Sequence, residues 1–137
     1  MTVPDERYRR GVEILQRLSG NTIVQSASKV AEIAPDFARM TIEFSLGDLY
    51  SRGAVDLCAR EMAAIAVLAA TGRTTQLRVH VAAALHVGCT REQVVEILMQ
   101  TAIYAGFPPA LDALTECHDL LAAPAVASAP PDPARHA

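Results

Sequence analysis

DLCAREMAAIAVLAATGRTTQLRVHVAAALHVG, residues 56–88, reads as two helices folded against each other. In the first half Leu57, Ala64, Ile65 and Leu68 recur at helical spacing, which predicts a core-facing stripe, and Glu61 falls on it. In the second half the stripe is Leu77, Val81, Ala84 and Leu85, with His80 on its edge beside Leu77 and Ala84. The turn Thr71-Gly72-Arg73 is short enough to make the helices antiparallel neighbours, which brings the carboxylate and the imidazole within reach of each other. A carboxylate in apolar surroundings costs roughly several kcal/mol unless it is paired or protonated. Two readings follow: a buried structural Glu–His hydrogen bond, or an acid/base couple.

The flanks are helical too. Pro4 opens a predicted helix to about Leu18, with Val12, Ile14, Leu15 and Leu18 as apolar contacts and Gly20 ending it. Residues 21–34 form a weaker helical segment, broken by Pro35. Asp36 is placed to cap a helix running to about Leu49, in which Phe37, Met40, Phe44 and Leu46 supply large side chains. A turn at Tyr50-Ser51-Arg52-Gly53 follows, and Asp56 caps the Glu61 helix. Gly88 ends the His80 helix, and Thr90-Arg91-Glu92-Gln93 opens the next with a capping box. That helix, 91–105, is apolar around most of its circumference, which predicts a central or subunit-facing position; Glu96, Gln100 and Tyr104 form its polar ridge. Gly106-Phe107-Pro108-Pro109 breaks it, and a last helix reaches about Leu121.

The expected organisation is therefore all-α, about six helices in one domain over residues 1–121, followed by an Ala/Pro-rich disordered tail over 122–137. Hydrophobic residues make up 51% of the 137, yet aromatics only 4%, so alanine carries much of the apolar content and suits closely packed helices. A chain this short is small for an enzyme that must enclose a substrate, which favours a site shared between subunits. The net charge of −3 leaves no basic footprint for nucleic acid. No signal-peptide pattern and no apolar run of membrane-spanning length are present, which predicts a cytoplasmic protein without membrane association. Cys58, Cys89 and Cys117 stand as three isolated thiols with no CxxC or zinc spacing, as expected where thiols stay reduced. His80 and His86 fall on different helix faces, so no metal site is expected.

The run REMAAIAVLAATGRTTQLRVHVAAALHVGCTREQVVEILMQTAIYAGFPPAL, residues 60–111, resembles the carboxymuconolactone decarboxylase family of the alkylhydroperoxidase D-like superfamily. The matching words are Arg60-Glu61, Gln76-Leu77 with His80, Ala84-Leu85 through Gly88, Glu96, Gln100, and Tyr104-Ala105-Gly106-Phe107-Pro108. Ala34-Pro35-Asp36 and the run from Gly47 to Arg52 extend the resemblance upstream. It implies a helical fold assembled as a ring, commonly a homo-oligomeric trimer or hexamer. It also implies cofactor-free loss of carbon dioxide from 4-carboxymuconolactone, in the β-ketoadipate route of protocatechuate catabolism.

Such chemistry needs a cation for a carboxylate, donors for a developing enolate, and an acid to return a proton. Glu61 and His80 are the candidate catalytic pair; Arg52 and Arg60 are the candidate cations. Gln76, Gln100 and Tyr104 are candidate substrate contacts. The superfamily's peroxidase branch is the alternative activity, but Arg73 and Gln76 stand where its CxxC cysteines would be. A non-catalytic oligomeric member is the other alternative. The resemblance also has a departure: the decarboxylases proper tend to carry a small hydroxyl residue where Glu61 stands, and a tryptophan near Tyr50.

Overall fold

The computed structural model describes residues 5–19 and 29–122. Helix α1 spans Glu6–Ser19. Residues 29–33 are helical, and α2, Pro35–Met40, runs directly into a π-helical segment, Thr41–Tyr50. Then follow α3 (Leu57–Ala70), α4 (Thr74–His86), α5 (Arg91–Ala105), α6 (Phe107–Glu116) and the short α7 (His118–Leu121). The protein is all-helical among the described residues, as predicted. Residues 20–28 and the expected tail from 123 onward lie outside the described residues.

The hairpin of α3 and α4 forms as the stripes require. Asp56 caps α3 by accepting the Ala59 N–H at 2.8 Å. Gly72 (φ 67°) turns the chain between the helices, and Gly88 (φ 102°) ends the run after α4, both in the left-handed region that glycine enters without a Cβ clash. The predicted capping box on α5 is present: Gln93 N–H donates to Thr90 Oγ1 at 3.1 Å, and Thr90 N–H to Gln93 Oε1 at 2.9 Å. Ile65 of α3, Leu77 and Val81 of α4, and Val94 and Leu98 of α5 are completely buried and form one cluster with Ala113 and Cys117. Each large member contributes on the order of 1.5–3 kcal/mol through burial.

A second layer joins α1 to the π-helical segment. Ile14 and Leu18 pack with Ala83 and, more peripherally, Leu46 and Tyr50. The two backbones touch at glycines: a methyl on Gly11 would overlap the Ile42 carbonyl, and one on Gly47 the Arg7 carbonyl. Arg7 clamps the contact through Asp48, with Nη2 2.6 Å from Oδ2, and holds the Asp48 carboxyl below its ordinary range.

Two local expectations change. Asp36 is not a cap; Ala34 is the N-cap and Pro35 occupies the first turn, where its missing N–H costs nothing. Phe37, Met40 and Phe44 are exposed, because the segment turns its glycine face, not its aromatic face, to α1. The last helix is two, divided at Cys117. Helix α5 buries Val94, Leu98 and Thr101 but leaves Met99, Ile103 and Tyr104 exposed, and Met99 and Ile103 border an apolar stretch with Phe107 and Leu111 of α6.

Candidate active site

Glu61 and His80 meet. Glu61 sits one turn into α3 on the buried stripe with Ile65 and Ala69, and it is fully buried. His80 follows Leu77 on α4 by one turn, and its ring is 28% exposed. The turn at 71–73 sets the two helices side by side so that Glu61 Oε2 lies 2.7 Å from His80 Nδ1. Glu61 Oε1 is buried with no hydrogen-bond partner among the described residues. A half-partnered carboxylate in an apolar core is costly, and such groups cluster where proteins do chemistry.

Tyr50, at the end of the π-helical segment, completes the surroundings. Burial, then the negative charge and acceptor oxygens of Glu61, push its hydroxyl up to about 12, against the opposing pull of Arg60. The phenol approaches Glu61 without reaching full hydrogen-bond geometry, since Oε1 stays unpartnered. The Arg60 guanidinium lies over the Tyr50 ring, 5.5 Å from its centroid. Its Nε donates to the Val55 carbonyl and its Nη2 to the Arg52 carbonyl, each at 3.2 Å. Arg60 thus orders the loop before α3. Arg52 belongs to that loop, and its exposed side chain has no hydrogen bond or ion pair among the described residues.

Sequence reasoning placed Glu61, His80, Arg52 and Arg60 in one neighbourhood and overlooked Tyr50. No periodic signal connects Tyr50 to Glu61, because the link runs across a π-helical turn and a loop. Gln76, Gln100 and Tyr104 stand exposed on α4 and α5, and among the described residues no hydrogen bond or ion pair joins them to the Glu61–His80 pair. No group of three or more His, Cys, Asp or Glu side chains is arranged to hold a metal ion among the described residues.

The expectation of three isolated thiols is corrected. Cys58 and Cys89 form a disulfide, with their Cα atoms 5.9 Å apart and 31 positions apart in sequence. The hairpin brings the start of α3 beside the residue after α4, a proximity that linear spacing conceals. Cys117 remains free and buried.

Among the described residues, two cavities lie apart from the pair. One of about 590 Å³ is lined by Asp56, Cys58, His86 and Arg17 among others. The other, about 360 Å³, is an apolar groove bordered by Met99, Ile103, Phe107 and Leu111. Neither is lined by Glu61 or His80. Among the described residues no helix is long and apolar enough to cross a membrane.

The profile of the carboxymuconolactone decarboxylase family matches residues 35–118. A protein named 4-carboxymuconolactone decarboxylase, from Acinetobacter baylyi, is 30% identical over 105 residues, covering 76% of this chain and 78% of that protein. The matched region holds Tyr50, Glu61 and His80 together.

Proposed function

The chain belongs to the carboxymuconolactone decarboxylase family, and on that footing we propose that it is a cofactor-independent decarboxylase-like lyase acting on a small carboxylated lactone. The substrate is of the 4-carboxymuconolactone type, at the corresponding step of aromatic catabolism. The observation that carries this reading is the buried Glu61 carboxylate, one oxygen unpartnered and the other 2.7 Å from a partly exposed His80.

The pair suits proton transfer. Accepting the proton at Nδ1 fixes the imidazole orientation and tautomer, which leaves Nε2 as the nitrogen that exchanges a proton with substrate. When the carboxylate leaves as carbon dioxide, its bonding electrons delocalise into the lactone carbonyl. His80 then delivers a proton to the ring carbon next to the lactone carbonyl, which leaves the double bond on the carbon that lost the carboxylate and gives the enol-lactone, and Glu61 balances the charge of the doubly protonated ring. Tyr50 keeps its proton across ordinary pH, so it acts as a donor and never as a base. Arg52 holds the substrate carboxylate, because Arg60 is already engaged with two backbone carbonyls and the Tyr50 ring.

The same reading includes assembly into a homo-oligomer. The exposed apolar groove between α5 and α6 supports it, since such a surface gains by being covered. The decisive experiment incubates the purified protein with 4-carboxymuconolactone and follows enol-lactone formation by NMR and carbon dioxide release. Turnover by the wild type, reduced about 10²–10⁴-fold in His80→Gln, is the expected result. Full turnover in His80→Gln ends the assignment to His80, and no turnover of any γ-lactone bearing a carboxylate ends the lyase reading.

A further inference from the structure

Cys58 and Cys89 lie outside the proposed proton-transfer pair, and their surroundings differ sharply. Cys58 occupies the second position of α3, in the first turn, and lines the cavity of about 590 Å³. Cys89, directly before the cap of α5, is only 4% exposed and belongs to the main core cluster. Cys58 therefore borders an opening large enough for a small molecule, while Cys89 is shielded by packed side chains.

We propose that this disulfide is a thiol-exchange site: Cys58 takes an external thiolate, and Cys89 is the leaving and resolving sulfur. The assignment is independent of the lyase reading. An entering thiolate attacks Cys58 Sγ, the bond to Cys89 breaks, and the electron pair leaves on Cys89, which takes up a proton. A second external thiol then displaces Cys58 from the mixed disulfide. The products are an oxidised external disulfide and two protein thiols, so electrons and protons balance.

The local groups fit each step. Arg17 and His86 line the same cavity and offer a positive charge and a hydrogen bond to the entering thiolate. The N-terminus of α3, where Cys58 stands in the first turn, favours negative charge on its sulfur, while Asp56, which caps the Ala59 N–H and lines the same cavity, opposes it. Cys89 Sγ lies 3.8 Å from the Cys58 carbonyl oxygen, an acceptor for the proton that its released thiol carries. The ligand class is a small aliphatic thiol or dithiol, which a cavity of about 590 Å³ bordered by Cys58 admits.

The test uses the full chain and oxidised glutathione as probe. Cys89→Ser, with Cys58 left reduced, is expected to gain one glutathione per chain by intact mass. Cys58→Ser is expected to gain it at least tenfold more slowly under native conditions. Wild-type protein treated with dithiothreitol without denaturant should gain two titratable thiols while its helical circular dichroism is kept, and lose them again on oxidation. Two results overturn the proposal: wild-type reduction that requires unfolding, or equal labelling of the two variants. If either variant fails to fold, the native reduction of the wild type decides alone.

Discussion

Replacing Glu61 by methionine distinguishes a residue kept for chemistry from one kept as a brace. Glu61 is completely buried, with one oxygen on His80 and the other without a partner. A hydrogen bond to a charged group contributes about 1.5–3 kcal/mol, less than the several kcal/mol it takes to strip a carboxylate of water. Methionine keeps the length, removes the charge and extends the apolar contacts of Ile65 and Leu77. His80, with 28% of its ring exposed, regains water at Nδ1. Stability should accordingly stay level or rise by about 1–3 kcal/mol, which for a chain of this size raises Tm by roughly 3–10 °C. Urea and thermal melts followed by circular dichroism measure this. Turnover of the carboxylated lactone, followed by NMR on the same preparations, should fall by about 10²–10⁴. A loss of more than about 2 kcal/mol with turnover unchanged would refute the reasoning and make Glu61–His80 a structural clamp.

Three further outcomes are expected. In wild-type protein one phenol should ionise near pH 12, and Tyr50→Phe should remove that transition from the tyrosinate absorbance titration. Because the folded protein holds this proton above the ordinary value of 10.0, the associated stability is complete below pH 10 and is lost as pH rises towards 12; Tyr50→Phe flattens that slope in urea melts. Arg52→Ala should raise KM for the carboxylated substrate about 10–100-fold with little change in Tm, while the inhibition constant of an analogue lacking the carboxylate stays the same. Gly11→Ala should cost roughly 1–3 kcal/mol by urea denaturation, since its methyl meets the Ile42 carbonyl of the neighbouring backbone.

Helix content and the central pair were legible because both obey short-range periodicity. Leu77, Val81 and Ala84 mark a buried stripe whatever surrounds them, and a three-residue turn leaves the hairpin little choice of partner. Asp56 and Thr90 likewise announce helix starts through chemistry confined to one turn. What escaped depends on contacts far apart in the chain. Cys58 and Cys89 are separated by 31 positions, and nothing local tells one cysteine that another will be beside it. Phe37, Met40 and Phe44 resemble core residues by type, yet the close glycine contacts with α1 decide which face turns inward. Tyr50 reaches Glu61 only because a π-helical run, with no distinguishing composition, delivers it there.

That run has a consequence for how the chain tolerates change in length. A wider winding advances the side chains around the axis by a smaller angle per residue than an α-helix does, so the ten residues from Thr41 to Tyr50 act as a phase adjuster upstream of the site. Deleting one of them would let the segment relax to ordinary α-helical pitch, swing the phenol away from the carboxylate and shift the contacts of Leu46 and Gly47 with α1. Insertions and deletions here therefore alter the alignment of the proton-handling groups while leaving the main core of α3, α4 and α5 in place, which the same changes within α4 or α5 would not.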